Sequence, residues 1–316
     1  MSLEMSFKRA TIIGTGMMGP GIGLTYARAG MEVAITGRTP ESVERGMNGF
    51  QANLKTLVEN ELLSEAEAES IRSRVRGSTD IFGEAAQSDL VTESIAEDLK
   101  LKQEYFRKLD EVCSATAVLT SNTSGLRMTD IQADMKHPER ALTTHFWNPP
   151  YLMPLVEVIP GEKSDFALAQ KVYDLLKSVG KAPVLLRKDV LGQLGNRLLH
   201  ALSREAAYMV QEGICSAEDI DTAIKNGPGL RYPAYGALEH SDMVGLDLFT
   251  AIQTYLAPDL CNYPGALPIL QEKVRNNNLG VKTGKGFYDW SVKDAAEVRR
   301  VRDQWIIWTL KARQQK

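Results

Sequence analysis

Apolar residues in the first forty positions follow the order strand, turn, helix, strand. Residues 8–13 form a short β-prone run that stops at a glycine, and a helical pattern follows from about Met18 to Ala29. Gly30 then stands where glycine commonly ends a helix. Val33-Ala34-Ile35-Thr36 is a second apolar run. This order predicts a βαβ unit, which nearly always belongs to a parallel sheet covered by helices.

Further short apolar runs recur along the chain as far as Lys188. They are interpreted as buried strands at Leu90-Val91-Thr92, Val118-Leu119-Thr120, Ala141-Leu142-Thr143, Leu155 to Ile159 and Val184-Leu185-Leu186. Helical patterns lie between them, including a long polar stretch from Glu44 to Arg76 and a periodic one from Phe166 to Leu176. The pattern predicts an α/β, Rossmann-type domain with a doubly wound, mainly parallel sheet.

The sequence pattern changes after Lys188. Apolar residues now recur at helical spacing without a convincing strand, as at Leu194, Leu198, Leu202, Met209 and Val210. We therefore predict a dinucleotide-binding domain at residues 1–188 and an all-helical substrate and dimerisation domain at 189–316. Two domains are also what a chain of 316 residues favours.

The composition is that of an ordinary globular protein. A formal charge of -3 provides no cationic surface for nucleic acid or an anionic membrane, and no apolar run reaches the roughly 20 residues of a membrane span. The three cysteines lack metal-ligand spacing and favour a reducing compartment. Without a secretory signal, the sequence predicts a cytoplasmic protein with no metal site. Met1-Ser2-Leu3-Glu4, ahead of Met5, is interpreted as an expression-vector remnant.

A glycine-rich sequence follows the first predicted strand and opens the first predicted helix. It reads Gly14-Thr15-Gly16-Met17-Met18-Gly19, a G-x-G-x-x-G pattern in the place where its mechanism requires it. Without a Cβ, Gly14 can turn tightly, Gly16 can admit a pyrophosphate against bare backbone, and Gly19 can pack helix on strand. The helix N-terminus adds unpaired N–H groups and partial positive charge. We predict that Gly14, Gly16, Met17, Met18 and Gly19 bind a dinucleotide.

The end of the second predicted strand bears on the choice between NAD and NADP. NAD-specific sites usually place an acid there for the ribose hydroxyls, but this chain reads Thr36-Gly37-Arg38-Thr39. The fork of Arg38 matches a 2′-phosphate, which favours NADP. Alternatively, Arg38 is a solvated loop residue and the site accepts either cofactor. Both interpretations stay open at this point.

One of the four histidines is placed to act as a base. His145 ends a predicted strand and enters Phe146-Trp147-Asn148-Pro149-Pro150, at the rim where parallel sheets bind ligands. Glu157 follows twelve residues later within an apolar run. A carboxylate bonded to the imidazole would orient it as the base that alcohol oxidation needs. Spacing alone leaves a structural histidine and a solvent-facing glutamate equally open.

These residues stand in the order found in the 3-hydroxyacyl-CoA dehydrogenase superfamily, which the chain resembles over nearly its whole length. The matching stretches are Gly14 to Gly19, Leu90 to Lys100, Ser121-Asn122-Thr123-Ser124, His145 to Pro149, Leu155 to Ile159, Gly195-Asn196-Arg197-Leu198 and Thr283-Gly284-Lys285-Gly286-Phe287-Tyr288.

The resemblance implies a role for each matching polar residue. His145 would be the catalytic base and Glu157 its partner, with Ser124 and Asn196 positioning the substrate oxygen and Asn148 supporting the same cluster. Glu97 and Lys102 would lie near the nicotinamide ribose, with Asn122 also assigned to the cofactor site. The resemblance implies NAD as the cofactor and a homodimer as the assembly. Turn formation is the alternative role for Ser124 and Asn122, and for Asn196 the alternative is a buried amide bonded to protein rather than to substrate.

Departures from the family pattern bear on the substrate. The chain has Phe146-Trp147-Asn148-Pro149 where acyl-CoA members commonly have Phe-Phe-Asn-Pro, and Pro154 where they have lysine. The run from Asn148 to Glu157 is more similar to relatives acting on compact hydroxy acids: the λ-crystallin and gulonate dehydrogenase group, carnitine dehydrogenase and a pyridine-carboxylate dehydrogenase.

Three functions follow from the resemblance. The first is an NAD(P)-dependent oxidoreductase of fatty acid metabolism that interconverts a 3-hydroxyacyl-CoA and its 3-keto form. The second is a dehydrogenase of a small CoA-free hydroxy acid or aldehyde. The third is a non-catalytic, crystallin-like structural protein, which is disfavoured because His145, Glu157, Ser124 and Asn196 are all present.

Overall fold

The computed structural model describes residues 7–314, which form two compact units. The first unit contains the chain up to Asn196 and again from Arg302, and the second runs from Arg197 to Val301. The segment Met1-Ser2-Leu3-Glu4 lies outside the described residues.

The first unit is built on one eight-stranded sheet. Its strands are β1 (Arg9–Ile13), β2 (Glu32–Thr36), β3 (Val75–Ser78), β4 (Leu90–Glu93), β5 (Val118–Ser121), β6 (Ala141–Phe146), β7 (Leu155–Pro160) and β8 (Ala182–Leu185). Their order in space is β3-β2-β1-β4-β5-β6-β7-β8, and every neighbouring pair is parallel except β6 with β7. The sheet therefore grows outward from β1 in both directions, which confirms the predicted doubly wound Rossmann-type fold.

Helices connect these strands. They are α1 (Gly19–Arg28), α2 (Pro40–Glu59), α3 (Glu65–Arg72), α4 (Ile81–Ala86), α5 (Leu99–Val112), α6 (Met128–Ile131) and α7 (Phe166–Ser178), with a 3-10 turn at Pro138–Arg140. The predicted helical stretch from Glu44 to Arg76 was partly wrong, because it contains two helices and the start of β3. Ser64 forms a capping box with Glu67 and so begins a new helix. The polar sequence of β3, Val-Arg-Gly-Ser, offered no apolar run by which to detect a strand.

Alternate strand residues pack on opposite faces of the sheet. On β1, Ile12 joins a hydrophobic cluster with helices α1, α2 and α7, whereas Ile13 joins a second cluster with α5 and α6. Leu90 and Val91 of β4 divide in the same way. This alternation follows from the two-residue period of a strand and explains why these strands read as continuous apolar runs.

The last helix, α14 (Ala295–Gln314), contributes to the first unit. Ile306, Ile307 and Leu310 pack with the cluster around α1 and α2, and Lys311 Nζ lies 2.9 Å from a carboxylate oxygen of Glu61. The predicted limits of 1–188 and 189–316 did not assign these residues to the first domain. Helical periodicity identifies an apolar face, but it does not identify the surface that covers that face.

The remaining elements are helical, as predicted. They are α8 (Gly195–Gln211), which begins in the first unit, and α9 (Ala217–Asn226), α10 (Pro228–Arg231), α11 (Ala237–Val244), α12 (Leu246–Leu256) and α13 (Pro268–Arg275). The second unit has a small buried cluster of Ala207, Cys261 and Leu267. Within residues 7–314, no helix has both the length and the apolar character needed to cross a membrane.

Candidate active site

The glycine-rich turn joins β1 to α1 and leaves space beside the helix N-terminus. Gly14 has a φ of 130°, and a Cβ there would overlap the carbonyl oxygen of Ser94. A Cβ on Gly19 would overlap the carbonyl oxygen of Gly14. By contrast, nothing lies within 4 Å of a Cβ built on Gly16, and Met17 is 75% exposed. The turn thus has the tight packing and the open approach that a dinucleotide pyrophosphate requires.

Gly37 has a packing reason that the sequence did not reveal. It is buried, and a Cβ there would lie 2.5 Å from Ser42 Oγ and 2.9 Å from Thr15 Cγ2. Ser42 belongs to the capping box that begins α2, so this contact leaves little freedom. Any side chain at position 37 would therefore require Ser42 or Thr15 to shift, and the NADP suggestion depends on the exposed Arg38 alone. That suggestion stays a prediction.

His145 and Glu157 lie opposite each other on the only antiparallel strand pair of the described sheet. They are register partners on β6 and β7, and His145 Nδ1 lies 2.7 Å from Glu157 Oε2. Directly opposed residues point to the same face of a sheet, so strand register brings the two side chains together. Glu157 is 0% exposed and His145 is 5% exposed. Glu157 is therefore an internal carboxylate and does not face solvent.

Four donors surround the Glu157 carboxylate. Oε2 accepts from His145 Nδ1 and from Trp147 Nε1 at 3.0 Å, while Oε1 accepts from the backbone N–H groups of Leu194 and Gly195 at 2.8 and 2.9 Å. Burial by itself would raise the pKa of Glu157, but these hydrogen bonds outweigh it and lower the pKa to about 2. An ionised carboxylate only accepts, so Nδ1 carries the hydrogen and Nε2 is left as the basic nitrogen.

Ser124 lies on a turn that Glu97 holds in place. Glu97 Oε1 accepts from Thr123 Oγ1 at 2.6 Å, from Ser124 N at 3.0 Å and from Gly125 N at 3.2 Å. Lys102 Nζ lies 3.4 Å from the other oxygen of Glu97. Burial raises the pKa of Glu97, yet the bond from Thr123, the charge of Lys102 and the two backbone donors together lower it. Glu97 is thus an ionised anchor for the turn, and its Oε1 also accepts from the Ser124 hydroxyl at 3.4 Å.

Two amide side chains connect this turn to the segment that leads into α8. Gln193 Nε2 donates to the carbonyl of Thr123 at 2.9 Å, and Asn196 Nδ2 donates to the carbonyl of Ser124 at 2.7 Å. The same segment provides the backbone donors to Glu157. The structure therefore joins the predicted residues Ser124, Asn196 and Glu157 in one bonded network.

Two predicted residues take other positions. Asn148 is exposed at the turn after β6. Asn122 Oδ1 accepts from Phe146 N at 2.9 Å, and its Nδ2 donates to Ser94 Oγ at 3.3 Å, so its side chain ties together the ends of three strands. Their roles toward substrate and cofactor stay predictions.

Sequence reasoning missed three residues of this region. Trp147 and Gln193 have the contacts given above. Gln193 carried no sequence signal, whereas Trp147 was noted only as a departure from the family pattern. Glu93 is fully buried. Its Oε1 accepts a hydrogen bond from Lys102 Nζ and its Oε2 accepts one from Ser121 Oγ, both at 2.7 Å. An acid at the end of the apolar run from Leu90 was the signal that would have identified it. Across the described residues, no group of three or more His, Cys, Asp or Glu side chains is placed to hold a metal ion.

Comparison with protein families gives two matches that together cover most of the chain. The family model for the 3-hydroxyacyl-CoA dehydrogenase NAD binding domain matches residues 9–190. The model for the 3-hydroxyacyl-CoA dehydrogenase C-terminal domain matches residues 192–290.

Individual relatives include enzymes of both substrate types. The chain is 32% identical over 300 residues to 5-formyl-3-hydroxy-2-methylpyridine 4-carboxylate 5-dehydrogenase from Mesorhizobium japonicum, covering 95% of this chain and 96% of the relative. It is 34% identical over 284 residues to 3-hydroxybutyryl-CoA dehydrogenase from Clostridioides difficile, covering 90% and 99%.

Solved structures show the same two types. A crystal structure of a 5-formyl-3-hydroxy-2-methylpyridine 4-carboxylic acid 5-dehydrogenase, described as an NAD+ dependent dismutase, has a TM-score of 0.89 at 30% identity, covering 96% of this chain and 98% of its own. The (S)-3-hydroxybutyryl-CoA dehydrogenase from Ralstonia eutropha has a TM-score of 0.75 at 30% identity, covering 90% and 99%.

Proposed function

The chain belongs to the 3-hydroxyacyl-CoA dehydrogenase family of NAD-dependent oxidoreductases, and on that premise we propose that His145 is the catalytic base for a small, CoA-free hydroxy acid or aldehyde. The observation that carries the proposed chemistry is the His145–Glu157 pair. A buried, ionised carboxylate bonded to Nδ1 orients the imidazole and leaves Nε2 as the proton acceptor.

The chain's own residues divide the work of the reaction between them. The glycine-rich turn from Gly14 to Gly19 would hold NAD, which would supply the hydride acceptor for the reaction. His145 Nε2 takes the hydroxyl proton, so an alcohol leaves as a ketone or an aldehyde hydrate leaves as an acid. The Ser124 hydroxyl and the Asn196 amide are neutral donors that hold the substrate oxygen without neutralising the base. Glu157 stabilises the imidazolium that forms.

A CoA-free substrate is favoured by overall likeness. The structural match to the pyridine-carboxylate enzyme has a TM-score of 0.89, compared with 0.75 for the hydroxybutyryl-CoA enzyme, although identity is 30% in both cases. Proline at 154 and tryptophan at 147 point the same way, because both depart from the pattern of acyl-CoA members.

A 3-hydroxyacyl-CoA remains the second candidate. Two parts of the chain match models named for 3-hydroxyacyl-CoA dehydrogenases, and the hydroxybutyryl-CoA relative from Clostridioides difficile is 34% identical. This candidate shares the chemistry at His145 and differs only in what binds the rest of the substrate.

The deciding experiment is a turnover screen in which the absorbance of the reduced nicotinamide reports the rate. Small hydroxy acids, aromatic aldehydes with a neighbouring carboxylate, and 3-hydroxyacyl-CoA esters are each offered with NAD and with NADP. We expect the highest kcat/KM for a CoA-free acid or aldehyde with NAD. Preference for a CoA ester by tenfold or more would reverse the substrate assignment. No absorbance change with any substrate would favour the crystallin-like alternative.

We also propose that the helical part of the chain forms a homodimer. Large apolar side chains are exposed on α10, α11 and α12, including Leu230 at 62%, Leu238 at 83%, Met243 at 73% and Tyr255 at 70%. The second unit buries only a small apolar cluster, so a second copy is the occupant proposed for these residues. Light scattering should give twice the chain mass, and Leu238→Asp should shift it toward one chain mass. A monomeric wild type would refute the proposal.

A reducing cytoplasm is the proposed compartment. Cys113, Cys215 and Cys261 are all free thiols, which is typical of proteins kept under reducing conditions.

A further inference from the structure

Trp147 shares the carboxylate oxygen that holds the catalytic imidazole. Its Nε1 donates to Glu157 Oε2 at 3.0 Å, and His145 Nδ1 lies 2.7 Å from the same oxygen. The two rings are 5.6 Å apart between centroids, tilted by 46°. The other oxygen is already occupied by two backbone donors. His145 therefore competes with an indole N–H for one acceptor atom.

This competition has a defined electrostatic direction. A donor to a carboxylate oxygen stabilises the negative charge there and makes that oxygen a weaker base. The weaker the base, the less it favours a positive imidazolium over a neutral imidazole. We propose that Trp147 is a positioning residue that lowers the proton affinity of His145 through Glu157 Oε2, a proposal that rests on the proposed function of this pair.

Gly195 provides the space in which the indole reaches the carboxylate. A Cβ on Gly195 would overlap Cζ2 of Trp147 and would lie 3.1 Å from Cε2. The N–H of Gly195 also donates to Glu157. Trp147 and Gly195 thus fit each other beside the same carboxylate, and an added methyl group at 195 would push the indole away from Oε2.

The ionisable surroundings of His145 are simple. Within residues 7–314, Glu157 on β7 is the ionisable side chain that a hydrogen bond or ion pair joins to His145. Lys102 is paired with Glu93 and with Glu97, and Glu97 holds the turn that carries Ser124. Trp147→Phe keeps an aromatic ring beside His145 and removes the N–H donor, so the expected effect of that change on His145 passes through Glu157.

The test is Trp147→Phe in the full chain, with the imidazole titration followed by NMR. The chain has four histidines, so a His145→Asn spectrum assigns the signal. Loss of the indole donor should raise the His145 midpoint by about 0.5 unit, or about threefold in proton affinity, and move the acid limb of the kcat/KM profile upward by the same amount. Trp308→Phe, at a side chain that is 63% exposed, is the matched control and should move neither.

Gly195→Ala is the second variant and guards against a folding defect in the first. It should raise the His145 midpoint in the wild-type background and add little in the Trp147→Phe background, because phenylalanine lacks both the indole N–H and the Cζ2 and Cη2 atoms that the new methyl group would meet. An unchanged midpoint in both single variants would overturn the proposal. The midpoint decides the role of Trp147 without any turnover, whereas activity on the substrate screen decides the proposed function, so the two failures are distinguishable.

Discussion

Replacing Glu157 with glutamine keeps the shape of the side chain but turns one acceptor oxygen into a donor. An amide nitrogen at the Oε1 position would face the fixed backbone N–H groups of Leu194 and Gly195. An amide nitrogen at the Oε2 position would face one indole N–H and one imidazole. The imidazole can move its hydrogen to Nε2 and accept on Nδ1. The second orientation leaves fewer donors unpaired, so we expect it to form.

The magnitude follows from that orientation. The half-buried N–H of Trp147 loses its acceptor, which costs about 1 kcal/mol of stability, at the lower end of the range for an unpaired donor. More important, an imidazole with hydrogen on Nε2 can no longer take the substrate proton. General-base catalysis is typically worth about 10²–10⁴ in rate, so kcat for Glu157→Gln should fall by about 100-fold or more. The glycine-rich turn is not touched, and NAD affinity should stay within about twofold.

The assay combines steady-state nicotinamide absorbance with a fluorescence titration of NAD. His145→Asn and the double variant complete a thermodynamic cycle. Because the two residues act as one unit, the double variant should be little slower than the worse single variant. If Glu157→Gln keeps kcat within about fivefold of the wild type, or if the two losses simply multiply, the tautomer argument is wrong.

The remaining predictions concern the base, the cofactor, the pH and the last helix. His145→Asn should abolish most turnover while a direct titration finds NAD affinity nearly unchanged; near wild-type rates would remove the proposed mechanism. Arg38→Ala should weaken NADP selectively, and an unaltered NAD-to-NADP ratio of kcat/KM would identify Arg38 as a solvated loop residue. The pKa of Glu157 is lowered from 4.5 to about 2, so its ionised form contributes stability above about pH 4.5 that is lost as the pH falls toward 2. Denaturant titrations between pH 7 and pH 3 should show this loss in the wild type and not in Glu157→Gln; parallel curves would contradict it. Ile307→Ala should cost about 2–4 kcal/mol in the same titrations, because Ile307 is buried at 8% exposure, and a neutral result would contradict its place in the first core.

Much of the dinucleotide-binding half was predictable because its signals are local. The strand, turn and helix around Gly14 to Gly19 are encoded within forty residues, and the apolar runs of β4 to β8 are short and continuous. A buried strand needs apolar residues on both faces, and this requirement is visible without knowing its neighbours. The polar edge strand β3 escaped prediction because it does not meet that requirement.

The candidate site was predictable only as a set of residue types. His145, Glu157, Ser124 and Asn196 were identified from their order along the chain, but their spacing left structural roles open. The antiparallel register of β6 and β7 places His145 opposite Glu157, and a one-residue slip would turn one side chain to the other face. Register depends on contacts between both strands and is not contained in either sequence alone.

The sequence by itself determined the fold class, the position of the dinucleotide turn and the candidate chemistry. The tertiary structure decided that Gly37 packs against Ser42 and Thr15, that α14 completes the first core, and that Trp147 shares an oxygen of Glu157. The physical reason is the range of the interactions. Periodicity and turn chemistry act within a few residues, whereas close packing and shared hydrogen bonds join groups that are distant in the chain and are fixed only once the core has formed.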